Sequence, residues 1–228
     1  MPDPGAVTVH IPEELNFLGF PLEKWFSSHP QYQHLVIGAL IFGYRPPAIG
    51  GSSSDDRQPR LLLVKRSAMD SYPGCWEVPS GSVERTDLTI SDAVAREVLE
   101  ETKLRVSRFV GEVRGQPVHW WSRQGGGIRV LKLSFEVEVV ELPERLTARR
   151  TSLAHDGPSE SLNLDDVPVV LNPDEHEAYE WVTREELEKG YETGKYKLIR
   201  DQYRVLLAGF SQHKERLEQT ERDSGEST

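Results

Sequence analysis

The stretch that decides the fold runs from Gly81 to Leu104 and reads GSVERTDLTISDAVAREVLEETKL. Its second part, Thr89 to Thr102, has the spacing of an amphipathic helix, in which each residue turns by about 100°. Apolar side chains fall on one side of this helix. Glu97 and Glu101 lie in the middle of the same stripe, and Glu100 lies at its edge. The sequence therefore places three carboxylates in one patch, two of them where packing favours an apolar residue.

Clustered carboxylates on a partly buried helix face repel one another and lose hydration, which costs stability unless a cation neutralises them. Hard divalent cations such as Mg²⁺ take oxygen ligands and leave room for water and for substrate phosphates. The pattern therefore indicates a divalent-metal site. The spacing alone also fits an ordinary Glu-rich helix whose acids face water beside Arg96, and at this point that alternative stays open.

The residues around the helix extend the pattern. Arg96-Glu97-Val98-Leu99-Glu100-Glu101 follows Gly81 by fifteen positions, and Trp76-Glu77-Val78-Pro79-Ser80-Gly81 leads into it. This arrangement resembles the Nudix box, which reads Gly, five residues, Glu, seven residues, Arg-Glu, an aliphatic, any residue, Glu-Glu, any residue, Gly, an aliphatic. Further along, Tyr179-Glu180-Trp181-Val182-Thr183 before an acidic helix start is also similar to the family. The ordered resemblance runs from about Leu35 to Leu187.

Four features depart from the family pattern. Ser80 stands where the family usually has a glycine, Asp87 replaces the first box Glu, and Lys103 stands at the terminal Gly. One extra residue lies between Asp87 and Arg96. These changes affect the loop and the end of the helix, while the Arg-Glu and Glu-Glu pairs are intact.

The resemblance implies a metal-dependent hydrolase that cleaves a diphosphate linkage in a nucleoside diphosphate derivative or a related organic pyrophosphate. It implies that Glu97, Glu100 and Glu101 bind Mg²⁺ or Mn²⁺ with help from the backbone carbonyl of Gly81. Arg96 is then expected to orient the glutamates by ion pairing, although a purely structural salt bridge fits equally well.

A general base in this family comes either from the box or from an acid on a later loop. The resemblance makes Glu177 a candidate for catalysis, with Glu175, Glu180 and the weaker His176 as alternatives. Each of these acids also fits an exposed loop.

Two positions are candidates for binding the substrate. Arg66, just after a predicted core strand, could bind a phosphate, and a structural role is equally compatible with its place. Trp121 could stack on a nucleobase, because Trp120 and Trp121 are adjacent in a strand and face opposite sides. Packing in the core remains the expectation for one of the two.

The bulk properties limit the class of protein. The chain has 228 residues, a formal net charge of −10 and a single cysteine, Cys75. The net charge disfavours binding of a nucleic-acid polymer. The lone cysteine excludes an internal disulfide and fits a cytoplasmic location. No apolar run approaches the roughly 18 residues of a membrane span, and the N-terminus does not read as a secretory signal, so we expect no membrane association.

Strands and helices are mixed without regular alternation, which favours an α+β fold over a doubly wound parallel sheet. With the resemblance, the expected fold is a Nudix-like α/β/α sandwich with a mixed β-sheet. We expect residues 1–30 to be an N-terminal extension packed on the domain, residues 31–210 the domain itself and residues 211–228 a charged tail. Surface loop insertions are predicted at about 46–59 and 143–166.

Two other functions stay open. A diphosphate isomerase on the same fold would normally use a catalytic cysteine, and Cys75 lies outside the expected position. A binding or regulatory module without turnover fits the altered loop. The resemblance also makes a homodimer plausible, with a small-molecule diphosphate as the substrate.

Overall fold

The computed structural model describes residues 8–45, 58–115, 118–122, 127–140 and 169–225. Residues 46–57 and 143–166 of the two expected loop insertions lie outside the described residues. The helices are a 3₁₀ helix at Glu13–Gly19, α1 at Leu22–Ser28, α2 at Ile90–Thr102, α3 at Arg184–Glu192 and α4 at Gln202–Gly225. The strands are β1 His34–Gly43, β2 Arg60–Arg66, β3 Trp76–Glu77, β4 Ser80–Ser82, β5 Arg105–Glu112, β6 Val118–Ser122, β7 Ile128–Val140 and β8 His176–Val182.

The strands form a mixed sheet with the central order β3-β2-β1-β7-β5. The long strands β1 and β7 run parallel in the middle, with Ile37 opposite Leu133. The other pairs are antiparallel: β4 pairs with β1, β6 with β7 and β8 with β2. The mixed sheet and its helices confirm the predicted fold class.

Alternating side chains of β1 divide the core into two layers. Leu35, Ile37, Ala39 and Ile41 face the layer that contains the apolar residues of α2. Leu40 and Phe42 face the other layer, which contains Leu187 of α3 and Leu206 and Phe210 of α4. Successive side chains of a strand point to opposite faces of the sheet, so β1 has apolar residues on both faces. Helices cover each of these faces.

The N-terminal residues cover the α2 side of the sheet. Leu15 and Leu18 of the 3₁₀ helix and Trp25 of α1 are buried in the same layer as the apolar face of α2. Ser91 Oγ at the start of α2 donates a hydrogen bond to the carbonyl of Leu18 at 3.2 Å. This packing holds α2 from the side opposite the sheet.

The C-terminal helix extends further than the sequence indicated. α4 is continuous from Gln202 to Gly225, so residues 211–225 of the expected tail are helical. Within them, His213 Nδ1 lies 2.8 Å from Glu136 Oε1, and Arg216 forms an ion pair with the same carboxylate. Glu136 is buried in β7 and needs these partners, and the helix turns beyond residue 210 supply them.

Helix α2, which carries the carboxylates, has well-defined ends. Thr89 caps its start, accepting a hydrogen bond from the Asp92 amide, while Asp92 accepts one from the Thr89 amide. Its end is Lys103, in the left-handed conformation with φ of 59° and ψ of 20°. A residue with a Cβ is strained there, and glycine is not.

We therefore expect Lys103→Gly to raise the free energy of unfolding by about 1 kcal/mol. Chemical denaturation in the presence of EDTA measures the change. Lys103→Ala is the matched control, because it removes the same side-chain contacts and keeps the Cβ. Equal stabilities of the two variants would show that the left-handed residue costs nothing at this position.

Candidate metal and diphosphate site

A cavity of about 1060 Å³ opens where β4, α2, β6 and the turn before β8 meet. Gly81, Glu97, Glu101 and Glu175 line one part of it, and Trp120 and Trp121 line another. At this size the cavity can hold a ligand larger than a diphosphate group.

Two of the three predicted carboxylates are buried at this cavity. Glu97 is 8% exposed and Glu101 is 3% exposed, whereas the side chain of Glu100 is half exposed and is not among the described residues that line the cavity. A Cβ at residue 81 would lie 2.2 Å from Glu97 Oε1, so a side chain there would displace that carboxylate. The structure thus brings Gly81 and Glu97 into direct proximity, with Glu101 one helix turn further on.

Arg96 ties this loop and helix together. Its Nη1 donates to Glu97 Oε1 at 2.9 Å and to Glu100 Oε2 at 3.0 Å. Nε and Nη2 bind both oxygens of Asp87 at 2.9 and 3.0 Å, and Nη2 also donates to the carbonyl of Ser82. Asp87 is therefore a partner of Arg96 and lies among the residues that order the loop.

The loop that leads into α2 is ordered by local hydrogen bonds. Asp87 Oδ2 accepts a hydrogen bond from the Glu84 amide at 2.7 Å, and the Asp87 amide donates to the Glu84 carbonyl. This tight turn and the Thr89 cap hold the loop up to the first turn of α2.

Burial dominates the electrostatics of the two inner carboxylates. Burial raises the pKa of Glu97 to about 7, although Arg96 opposes the shift. Burial and the nearby charges of Glu77 and Glu97 raise the pKa of Glu101 well above its usual range. These groups are costly to ionise without a cation, as expected of ligands for a divalent metal.

The turn before β8 brings two further side chains to the carboxylates. Ligand atoms of Glu101, Glu175 and His176 all lie within 4.8 Å of one another. Burial lowers the pKa of the His176 imidazole, so it favours the neutral form. Burial and the charge of Glu100 raise the pKa of Glu175.

The structure does not bring Glu177 to this cluster. β8 has a bulge at which Lys65 pairs with Ala178 and Arg66 with His176, so Glu177 is skipped in the ladder. The Glu177 carboxylate instead forms an ion pair with Lys65 at 2.6 Å. Glu180, another candidate from the sequence, binds Lys195 and Tyr196. A bulge of this kind redirects side chains without leaving a signal in the sequence.

Arg66 lines the cavity, but other groups occupy its donors. Its guanidinium binds the carboxylates of Glu77 and Asp70 and the hydroxyl and carbonyl of Ser71. These contacts join the end of β2 to the turn before β3. Little donor capacity is left for a phosphate, which favours the structural alternative for Arg66.

Lys132 is buried in the same cavity wall, although it is not one of the candidates from the sequence. Its Nζ donates to Ser80 Oγ at 3.0 Å and lies 3.8 Å from Glu77 Oε2. A Cβ at residue 38 would be 3.2 Å from Lys132 Cε, so Gly38 leaves space for the lysine. The hydroxyl of Ser80, one of the departures from the family pattern, is thus a partner of a buried cation.

The two tryptophans of β6 differ in their surroundings. Trp121 is 69% exposed, whereas Trp120 is half-buried with the Arg200 guanidinium carbon 4.4 Å from its ring centre. Both line the cavity, so either ring can contact a bound molecule.

Comparison with known proteins identifies the family of this chain. The NUDIX domain model matches residues 45–202, which is more than half of the chain. The protein therefore belongs to the NUDIX domain family. No curated protein sequence gives a significant match.

Solved structures with a similar fold include a MutT NUDIX hydrolase from Burkholderia pseudomallei, at 20% identity and a TM-score of 0.46, covering 77% of this chain and 96% of that chain. The NUDIX domain of Shewanella oneidensis NrtR complexed with ADP ribose is 17% identical with a TM-score of 0.44, covering 86% and 98%. A C. elegans Ap4A hydrolase is 17% identical with a TM-score of 0.42, covering 78% of this chain and 98% of that chain.

Among the described residues, no helix is long and apolar enough to span a membrane.

The raised pKa of Glu97 predicts how stability depends on pH in the metal-free protein. A carboxyl whose pKa rises on folding, from 4.5 to about 7, stabilises the fold at low pH, and this contribution is lost as the pH rises through the folded value. In EDTA we therefore expect Glu97→Gln to melt higher than wild type at about pH 8.5 and to lose this advantage near about pH 5.

Thermal melts at both pH values test this, with Glu188→Gln, an exposed acid paired with Arg184, as the control. Addition of Mg²⁺ should reverse the order at high pH, because a ligand stabilises most the protein whose site is intact. A wild type that is already more stable than Glu97→Gln in EDTA at high pH would contradict the interpretation that the ionised, buried Glu97 destabilises the metal-free protein.

Proposed function

We propose that this protein is a metal-dependent hydrolase that cleaves a diphosphate linkage in a nucleoside diphosphate derivative or a related organic pyrophosphate. The observation that carries the proposal is the burial of Glu97 against Gly81 and of Glu101 one helix turn away, at the wall of a cavity large enough for such a substrate. Membership of the NUDIX domain family supports the same reaction class.

Glu97, Glu100 and Glu101 are proposed to hold Mg²⁺ or Mn²⁺, with the carbonyl of Gly81 as a further ligand. The fit rests on this structure: two carboxylates are buried together, a side chain at residue 81 would displace one of them, and His176 is unsatisfied nearby. When bound, such ions neutralise phosphate charge and lower the pKa of a coordinated water.

The remaining roles fall to groups of the chain itself. Arg96 holds Glu97 and Glu100 in place and is a positioning residue. We propose Glu175, in place of Glu177, as the general base, because its carboxylate faces the cluster and its raised pKa favours proton uptake. Lys132 is the better placed cation for a phosphate oxygen, since carboxylates and Ser71 occupy Arg66.

The aromatic part of the cavity suits the organic portion of the substrate. Trp121 presents an exposed ring, and Trp120 has a guanidinium on its face, so a flat group can stack on either. The net charge of −10 supports a small diphosphate substrate, brought in with its metal, in preference to a nucleic-acid polymer. The isomerase alternative gains no support, because Cys75 is not among the described residues that line the cavity.

We expect hydrolysis of at least one member of a panel of nucleoside diphosphate sugars, ADP-ribose, dinucleoside polyphosphates, NADH and coenzyme A, and only with Mg²⁺ or Mn²⁺ present. Glu101→Gln should lower kcat by orders of magnitude without unfolding the protein, because the amide keeps the packing and removes a metal ligand. Chromatography of the phosphomonoester products and circular dichroism measure the two effects, with Glu188→Gln as the control. If no substrate turns over with either metal, the protein is better interpreted as a binding module without turnover.

The choice between the two acids of the β8 turn is tested by a matched pair. Glu175→Gln should reduce kcat by about 100-fold or more, the usual contribution of a general base, and Glu177→Gln should stay within about threefold of wild type. Their pH–rate profiles provide a second measurement, since loss of the base removes the acidic limb. A larger loss in Glu177→Gln would return the role to that residue.

A further inference from the structure

His176 is buried without a hydrogen-bond partner. Its side chain is 1% exposed, and neither Nδ1 nor Nε2 has a partner among the residues that the structure describes. The contact that comes nearest is Glu101 Oε1 at 3.9 Å from Nε2, which is too long for a hydrogen bond. A buried polar group left this way costs free energy, so the imidazole calls for an explanation.

The surroundings of the ring suggest what satisfies it. One oxygen each of Glu101 and Glu175 and a nitrogen of His176 lie within 4.8 Å of one another. Ligands on opposite sides of a small divalent ion, each at about 2.1 Å, are roughly 4 Å apart. The 3.9 Å between His176 Nε2 and Glu101 Oε1 therefore matches the spacing of two ligands on one cation.

The backbone holds His176 in this position. Its amide donates to the carbonyl of Asn172 at 2.8 Å, and the Ser67 amide donates to the carbonyl of Glu175 at 2.8 Å. Ser67 Oγ also donates to the Asp174 carbonyl at 2.8 Å. The turn is thus attached at both sides, and the bulge at Glu177 directs the ring inward.

The charge of the neighbourhood favours a cation over a bridging water. Glu77, Glu97, Glu101 and Glu175 contribute carboxylates to this part of the cavity. Arg66 and Glu77 form an ion pair, and Lys132 is bound to Ser80, which leaves the acids beside His176 without a comparable partner of their own among the described residues. A metal ion would satisfy the imidazole and neutralise Glu101 and Glu175 together.

We propose that His176 is a nitrogen ligand of one of the site's metal ions, together with Glu101 and beside the proposed base Glu175, and that this subsite takes Mn²⁺ or another first-row transition ion in preference to Mg²⁺. The inference rests on the metal site of the proposed function and adds a ligand and a metal preference to it. Imidazole binds transition ions well, whereas Mg²⁺ keeps oxygen ligands.

Electron spin-echo spectroscopy of the full-length protein loaded with Mn²⁺ tests the proposal without substrate. Wild type should show the ¹⁴N coupling of a bound imidazole, and His176→Gln should lose it. The control is His34→Gln, which removes another histidine of the same cavity, one that is bound to Ser82 Oγ at 2.9 Å, and which should keep the coupling.

Calorimetric titrations supply the matching affinities. His176→Gln should weaken Mn²⁺ binding by at least about tenfold and Mg²⁺ binding by less than about threefold, because the amide oxygen still suits the harder ion. If His176→Gln does not fold, ¹⁵N-histidine labelling of wild type shows whether the coupled nitrogen belongs to a histidine, and His34→Gln shows whether His34 supplies it.

Absence of imidazole coupling in Mn²⁺-loaded wild type, or its persistence in folded His176→Gln, would overturn the assignment. Equal losses of Mn²⁺ and Mg²⁺ affinity would overturn the metal preference. Turnover of the substrate panel is independent of both results. Hydrolysis without nitrogen coupling removes the inference alone, and coupling without hydrolysis removes the proposed activity alone.

Discussion

The structure depends on a conflict between packing and charge on one helix face. Glu97 and Glu101 occupy positions of α2 that face inward, yet each carries a carboxylate that burial makes costly to ionise. The fold accommodates them by placing Gly81, which has no side chain, against Glu97 and by directing the Ser80 amide at Glu101, at 3.0 Å. The loop between β4 and α2 is shaped by this requirement.

Charged partners surround these two acids on the loop side and on the sheet side. Arg96 lies on the loop side and pairs with Asp87, Glu97 and Glu100. On the sheet side, Glu77 is shared by Arg66 and by the hydroxyl of Ser80, which Lys132 also contacts. Glu101 and Glu175 line the cavity, and neither forms an ion pair with a Lys or Arg among the described residues. That imbalance is the electrostatic argument for the proposed metal.

The departures from the family pattern become intelligible in three dimensions. Asp87 keeps both oxygens on Arg96, so a shorter acid still orders the loop. Ser80 adds a hydroxyl that binds Lys132, and the space for that lysine comes from Gly38 on the neighbouring strand. Lys103 adopts the left-handed conformation that the missing glycine would have taken, and its Nζ donates to the carbonyl of Glu100 at 3.3 Å. Each of these three residues has a local partner.

The sequence by itself determined the features that depend on the spacing of residues along one helix or strand. The turn of about 100° per residue placed Glu97, Glu100 and Glu101 on one face of a helix. Tertiary structure decided which distant groups join them. The bulge in β8 selected Glu175 and His176 over Glu177, and pairing with Glu77 and Asp70 engaged Arg66 and left Lys132 as the cation at the cavity wall. The physical reason is that a side chain's direction follows from its own backbone period, whereas its partners depend on strand register and on charges far away in the chain.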